Sequence, residues 1–220
     1  MIVDLSHPIE DGIQTFPGGW NPNVAIQTMG RLCVEGRRST RIELGTHTAT
    51  HIDAPSHFLG DGASIDQIPL ELLAGEASVV DFRHLSQRTE VSGEAMDAAL
   101  PQEIHSLRLL LCFGWSRHYN SSIFYDAYPY LSREAAEVII DRGVRLLGYD
   151  TPSPDNPNNG RDAELDSPIH KAFLTSNVWL LEYLNNLGAL PANIYLYALP
   201  LPLVGVDGAP ARCVGVVDDH

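Results

Sequence analysis

Short apolar runs separated by turn-forming segments recur along the chain. Four of these runs are rich in residues that favour β-structure, and they are too short to be typical helices, as expected for buried strands. We predict strands at residues 77–82, 107–113, 144–149 and 193–199.

One further segment has the pattern of an amphipathic helix. Ser132 can cap its start, Glu134 lies in its first turn, and Gly143 follows its last turn. Residues 96–100 predict a second, shorter helix. Because strands and helices are mixed and no repeat or linker-like change of composition interrupts them, we predict an α/β fold with a single domain over residues 1–220.

Two loop regions have an unusual composition. Residues 151–168 are rich in proline, asparagine and aspartate and are long for a simple connection, and long ordered loops often carry function. Residues 16–23 place Trp20 among glycine, proline and asparagine residues. This tryptophan is either a packing anchor for its loop or a wall that faces a substrate.

Composition and charge restrict the class of partner. With 44% hydrophobic and 19% charged residues, the 220-residue chain can bury a core and does not resemble a disordered protein. Its formal net charge of -14 repels phosphate backbones, and lysine and arginine do not cluster. We therefore expect binding to neither nucleic acid nor a membrane surface.

The cysteines and the first residues indicate the compartment. Cys33, Cys112 and Cys213 are odd in number and widely spaced, which argues against a disulfide framework. The sequence contains neither a signal-peptide pattern nor an apolar run of the ~20 residues that cross a bilayer. We expect a soluble cytoplasmic protein.

The strongest chemical signal is one short segment that holds three of the nine histidines, at His47, His51 and His57, together with Asp53. Imidazole and carboxylate groups are the usual ligands of zinc, manganese and iron in hydrolytic sites. The segment lies between apolar stretches, so a turn with solvated histidines is the weaker interpretation. We predict a metal site.

The spacing of these residues excludes simple geometries. They follow His47 by 4, 6 and 10 residues, so a straight strand would spread them over ~33 Å. The threonines between the histidines and the following Pro55 oppose a helix. We expect a curled segment in which His47, His51 and Asp53 converge. Pro55 then turns the chain so that His57 approaches as a fourth ligand or as a proton-transfer residue.

A second candidate pair, His170 and Glu182, follows the long polar loop. If residues 170–187 formed one helix, the pair would lie ~18 Å apart and could not share a metal ion. A break at residues 175–177 would leave 178–184 as a strand in which Glu182 is the only charge. Glu182 is then either an edge residue that faces water or a buried group held by a cation.

The pattern His-x3-His-x-Asp-x-Pro-x-His, beginning at His47, resembles the signature of the metal-dependent cyclase family, which includes bacterial kynurenine formamidases (arylformamidases) and isatin hydrolase. The resemblance extends to further segments: Asp4-Leu5-Ser6, Pro17-Gly18, Gly114-Trp115-Ser116, Asp150-Thr151-Pro152-Ser153 and Ala198-Leu199-Pro200-Leu201.

The resemblance implies a role for each candidate residue. His57 matches the proton donor and acceptor, and Trp20 falls near a substrate-contacting aromatic residue. The implied metal ligands, which would hold one or two zinc ions or manganese, are His47, His51, Asp53, His170 and Glu182. The resemblance also implies a swivelling β/β/α-type fold and a homodimer or homotetramer.

We predict a metal-dependent hydrolase of amide bonds, with N-formylkynurenine, from tryptophan catabolism, as the leading aromatic substrate. The same site could instead hydrolyse a lactam or lactone, or catalyse a cyclisation in secondary metabolism. A non-catalytic, metal-dependent binding protein is a different alternative, but a binding site needs no spare base such as His57. A structural metal site would favour cysteine ligands, which the cluster lacks.

Overall fold

The computed structural model describes residues 1–101, 106–160 and 163–217. Within these ranges the strands are β1 (Ile2–Asp4), β2 (Ala25–Gly30), β3 (Ser39–Glu43), β4 (His51–Asp53), β5 (Ala74–Asp81), β6 (Glu90–Val91), β7 (Arg108–Cys112), β8 (Tyr130–Leu131), β9 (Leu146–Tyr149), β10 (Trp179–Glu182), β11 (Asn193–Pro200) and β12 (Gly208–Val216). The α-helices are α1 (Leu32–Glu35), α2 (Leu70–Leu73), α3 (Gly93–Ala99), α4 (Ser122–Asp126), α5 (Arg133–Asp141) and α6 (Pro168–Thr175), and 3-10 helices occur at Pro55–His57, Ile65–Gln67, Trp115–His118 and Leu187–Ala189.

The main sheet closes into a barrel. Its strand order is β1-β12-β11-β5-β7-β9-β10-β4, and β4 also pairs with β12. Strands β5, β7, β9 and β10 run parallel to one another, whereas β4 and β12 pair antiparallel. Because β4 bonds to β10 on one edge and β12 on the other, it is the strand that completes the ring.

The central strands are apolar throughout because both of their faces are covered. On β7, Leu109 and Leu111 pack with the helices, whereas Leu110 and Cys112 belong to the core inside the barrel. Side chains alternate between the faces of a strand, so a strand buried on both sides becomes an unbroken apolar run. The four predicted strands and the α/β fold class are confirmed.

Both predicted helices are also confirmed. In α5, the Ser132 side chain accepts a hydrogen bond from the backbone N–H of Ala135, and Gly143 adopts a left-handed conformation just after the helix. The short helix predicted near residue 96 is α3, which starts earlier because Ser92 caps it. No helix in the described ranges is long and apolar enough to cross a membrane.

The segment around His170 and Glu182 is a helix followed by a strand. Helix α6 ends at Thr175, and β10 begins at Trp179, so the predicted break at residues 175–177 is confirmed. Glu182 is buried, which excludes the interpretation as an edge residue facing water.

Candidate active site

Strand β4 places two candidate ligands on one side of the barrel wall. Ile52 points into the barrel core, so its neighbours His51 and Asp53 point to the opposite side. Glu182 lies directly across from His51 on β10. The pairing of β4 with β10 therefore brings together three side chains of metal-binding type. The first and the last of them, His51 and Glu182, are 131 residues apart in the sequence.

The remaining histidines approach this cluster from neighbouring segments. His170 projects from α6, and its Nε2 lies 3.0 Å from Glu182 Oε1 and 3.6 Å from Asp53 Oδ2. His47 belongs to the turn before β4, and its Nδ1 lies 2.7 Å from Asp53 Oδ1. His57 ends the 3-10 helix after Pro55, as the curled-segment prediction requires, and its ring centroid lies 4.0 Å from that of His47.

Two overlapping groups of donor atoms could each hold an ion. The donor atoms of His51, Asp53 and Glu182 all lie within 4.8 Å of one another, and so do those of His47, Asp53 and His57. Asp53 belongs to both groups, so it would be a ligand at either position. The second group also leaves His57 within reach of an ion, so the geometry permits either of its predicted roles.

Three histidines share one hydrogen-bonding arrangement. In each, one ring nitrogen faces Asp53, and in His51 and His170 also Glu182, while the other contacts an oxygen outside that pair. These outer contacts are His47 Nε2 with Asp207 (2.8 Å), His51 Nδ1 with the carbonyl of Ala49 (2.7 Å) and His170 Nδ1 with Asp155 (2.6 Å). Outer contacts of this kind fix the tautomer and orientation of metal-binding histidines.

The environment of His51 tests whether a cation fits. Its Nδ1–H donates to the Ala49 carbonyl, so in the neutral ring Nε2 carries a lone pair. That atom is buried and forms no hydrogen bond to any described residue, although Asp53 Oδ1 lies 3.1 Å away and Glu182 Oε2 3.4 Å away. A lone pair against two carboxylates is repulsive unless positive charge lies between them, so the donors fit a divalent cation.

Without a cation, protons would have to balance the buried carboxylates. Burial lowers the pKa of His47, but the charges of Asp53 and Asp207 outweigh it and raise the pKa to about 10. Burial likewise opposes the charged form of His170, yet its hydrogen bonds to Asp155 and Glu182 raise the pKa well above the usual range. Metal ions compete for the same nitrogen atoms by replacing these protons.

Three of the seven non-glycine residues with positive φ in the described ranges lie next to the candidate ligands. Ala49, Ser167 and Tyr183 adopt left-handed conformations with φ of 54°, 47° and 57°. They lie two residues before His51, three residues before His170 and directly after Glu182. A non-glycine residue in the left-handed conformation lowers stability by on the order of 1 kcal/mol or more, and such residues cluster at functional sites. The Ala49 conformation places its carbonyl at His51.

The cluster lies in a cavity of about 1030 Å³ with an aromatic lining. Trp20 is one of the lining residues and is 53% exposed. Part of the 151–168 loop also lines the cavity, although residues 161–162 lie outside the described ranges. The aromatic residues of the cavity are Phe16, Trp20, Phe58, Tyr125, Tyr128 and Tyr183.

Three residues of the site were not found from the sequence. Asp155 accepts hydrogen bonds from His170 Nδ1 and from the first backbone amides of α6. The Tyr149 hydroxyl donates to Glu182 Oε1 at 2.6 Å, and Asp207 contacts His47 and His57. The sequence around these residues gives little indication of a role in the site. Asp155 lies in the polar loop, and Asp207 immediately precedes Gly208.

Gly62 packs against the turn that carries His57. A Cβ at this position would lie 2.5 Å from the carbonyl carbon of Pro55 and 2.6 Å from the backbone nitrogen of Ser56. Because backbone atoms cannot swing aside, we expect Gly62→Ala to displace the turn, lower the free energy of unfolding by about 1–3 kcal/mol and reduce turnover. Thermal unfolding and steady-state kinetics measure both effects.

The matched control is Gly60→Ala, because a Cβ at Gly60 would meet no atom within 4 Å. We expect this variant to keep the stability and turnover of the wild type. Equal losses in both variants would show that the close contact at Gly62 is not the cause.

Asp155 holds His170 through a carboxylate–imidazole contact. We expect Asp155→Asn to weaken metal binding by about 10–100-fold, as is typical when an outer partner of a ligand is removed. Competition with a fluorescent chelator measures the metal affinity. The control is Asp166→Asn, since Asp166 lies near the start of the same helix and contacts Ser167 and Lys171 rather than His170. An unchanged affinity in Asp155→Asn would contradict the prediction.

Comparison with known proteins gives consistent matches over nearly the whole chain. The model of the Cyclase family matches residues 3–156. A kynurenine formamidase of Geobacillus thermodenitrificans is 30% identical over 213 residues, which cover 96% of this chain and 94% of that protein. A kynurenine formamidase of Bacillus mycoides is 28% identical, with 96% and 95% covered.

Solved structures share the fold. A structure described as a "potential metal-dependent hydrolase with cyclase activity" is 26% identical, with a TM-score of 0.76 and coverage of 98% of this chain and 96% of that one. An isatin hydrolase bound to the product analogue thioisatinate has a TM-score of 0.88 at 21% identity, with 99% and 92% covered. At that identity, the second match supports the fold alone.

Proposed function

The chain belongs to the Cyclase family and is a metal-dependent hydrolase of amide bonds, and we propose that its substrates are aryl formamides, with N-formylkynurenine as the leading candidate. One observation carries the proposal. His47, His51, Asp53, His170 and Glu182 converge in the lining of an aromatic cavity, with His57 beside them. This arrangement supplies ligands, a separate base and a surface for an aromatic ring.

We assign the five convergent residues as metal ligands. The buried lone pair of His51 and the paired carboxylates of Asp53 and Glu182 support this assignment. The set of imidazole and carboxylate donors suits zinc or manganese, as one ion or as two that share Asp53. When bound, such an ion lowers the pKa of a coordinated water and polarises the carbonyl of the substrate.

His57 is the proposed acid and base of the reaction. Its ring lines the cavity beside His47 and is partly exposed, so water and substrate can reach it. A neutral imidazole can accept the proton of the attacking water and then donate it to the leaving nitrogen. The aryl formamide and water are thereby converted into formate and the free aryl amine.

The walls of the cavity favour a flat aromatic substrate. The aromatic side chains that line it include Phe16, Trp20, Tyr125 and Tyr183, and Phe16 packs edge-on against Tyr125. Aromatic side chains bind rings through offset-stacked or edge-to-face contacts. A formyl group attached to an aniline nitrogen is small enough to reach the histidine cluster while the ring remains against these walls.

A hydrolase screen tests the proposed function. The metal-free protein, supplied with zinc or manganese separately, is assayed against formyl-anilides including N-formylkynurenine, lactams including isatin, and lactones. We expect metal-dependent hydrolysis with the highest kcat/KM on formyl-anilides. A higher kcat/KM on isatin or on a lactone would assign the site to ring opening, and hydrolysis of none of them would reject the proposed substrates.

We also propose that the protein is a homo-oligomer and that the hairpin of β2 and β3 lies at its interface. This segment, with α1 between the strands, exposes large apolar side chains that the rest of the described chain does not cover: Ile26, Met29, Leu32, Val34 and Ile42. Contiguous exposed apolar patches mark interaction surfaces. Light scattering should give a mass of two or four chains, and a monomeric mass would reject the proposal.

A further inference from the structure

Asp207 contacts both histidines at the edge of the metal cluster. Its Oδ2 lies 2.8 Å from His47 Nε2 and 3.3 Å from His57 Nδ1. Its Oδ1 accepts a hydrogen bond of 3.0 Å from the Thr46 hydroxyl. One carboxylate therefore links the proposed base to a proposed ligand, which fixes their relative positions.

The backbone around Asp207 is tied to the segment that carries His57. The backbone N–H of Ala54 donates to the carbonyl of Asp207 at 2.9 Å, and that of Ile65 donates to Val206 at 2.9 Å. At Gly208, a Cβ would lie 3.0 Å from Cε1 of His47, so the chain passes directly against that ring. Asp207 is therefore held in place by its neighbours and is not a freely moving surface carboxylate.

The contact with Asp207 determines which nitrogen of His57 can react. When Nδ1–H donates to the carboxylate, Nε2 of the neutral ring carries the lone pair and can accept a proton from water. The same carboxylate stabilises the imidazolium that forms after the transfer, which is the role of the aspartate in a Ser-His-Asp triad. Without the contact, the ring can rotate and adopt either tautomer.

We propose that Asp207 is a positioning residue that holds His57 with Nε2 available to the attacking water. This inference rests on the proposed function, because it takes His57 to be the acid and base. No atom of Asp207 needs to touch the substrate. Asp207 also contacts the proposed ligand His47, so its loss is expected to weaken metal binding as well. When the metal site is saturated, its effect on turnover passes through His57, and this distinguishes it from a residue that only stabilises the fold.

Kinetics of Asp207→Asn, His57→Ala and the double variant, measured with enough added metal to saturate each protein, test this dependence. We expect Asp207→Asn to lower kcat by about 10²-fold with KM within about threefold, because the substrate site is intact. In the double variant, kcat should be no lower than in His57→Ala alone, because both substitutions impair the same proton-transfer step. Asp207→Glu should restore part of kcat. Multiplicative losses in the double variant, or a wild-type kcat in Asp207→Asn, would overturn the proposal.

A second readout is independent of turnover. In the protein with ¹⁵N-labelled histidine, NMR of the imidazole nitrogens identifies the tautomer, and His57→Ala assigns the signals. We expect the Nδ1–H form of His57 in the wild type and a mixture of tautomers in Asp207→Asn. The control Asp66→Asn changes a carboxylate that contacts Gly205 on the same loop, and it should leave the His57 signals unchanged. Identical His57 signals in the wild type and Asp207→Asn would overturn the proposal.

The two proposals fail in different ways. Full turnover in His57→Ala would refute the role of His57 itself, whatever the behaviour of Asp207. Impaired turnover in His57→Ala together with full turnover in Asp207→Asn would refute only the positioning role.

Discussion

Replacing Asp53 with alanine is expected to abolish both metal binding and turnover. Asp53 is buried, and its carboxylate contacts His47, His51 and His170 at 2.7, 3.1 and 3.6 Å. Its removal therefore affects three other proposed ligands at once. We expect kcat/KM to fall by more than about 10³-fold, beyond the 10–100-fold typical of outer partners. Mass spectrometry of the native protein, together with kinetics, measures the two losses.

The folding of Asp53→Ala is checked separately by circular dichroism and thermal unfolding. A metal ion at 1,000 times its dissociation constant stabilises the wild type by about 4 kcal/mol, and this metal-dependent rise in Tm should be absent in the variant. Asp150→Asn is the matched control, because Asp150 is equally buried but holds the backbone amides of Phe113 and Trp115. It should lose stability and keep its metal. Normal metal content in Asp53→Ala would reject its role as a ligand.

The His57→Ala variant is expected to keep its metal and lose most of its turnover. Removing a general acid and base lowers rates by about 10²–10⁴-fold, while the five ligands remain in place. Metal content and kcat measured on the same preparation separate the two properties. His84→Ala serves as the control, because His84 is exposed and lies outside the cavity.

The same experiment decides between the two roles that the geometry permits for His57. If His57 were a fourth ligand, the variant would lose metal and turnover together, as expected for Asp53→Ala. Full turnover with full metal content would exclude both roles.

The proposed ligands could be selected from the sequence because a short motif contains most of them. His47, His51 and Asp53 lie within seven residues of one another, and the curl that joins them to His57 follows from the threonines and Pro55. Local signals were equally sufficient for the helix that Ser132 caps. Propensity, capping and periodicity act over a few residues, so they are visible in the sequence.

The residues that hold the ligands were not predictable, because their contacts are distant in sequence. Asp207 reaches His47 across 160 positions, and Tyr149 reaches Glu182 across 33. The first contact depends on the pairing of β4 with β12, and the second on the parallel pairing of β9 with β10. No local pattern encodes either pairing. Hydrophobic patterning identified the strands β5, β7, β9 and β11 but contained no information about which carboxylate contacts which imidazole.

Titration of metal into the metal-free enzyme tests metal-dependent hydrolysis most directly. The protein is stripped with a chelator, zinc or manganese is added in known amounts, and hydrolysis of a formyl-anilide is followed at each step. We predict no turnover without metal and a rise in proportion to the bound ion until the site is filled. Full turnover in the stripped protein, at a metal content verified to be below a few per cent of the sites, would contradict a metal-dependent hydrolase.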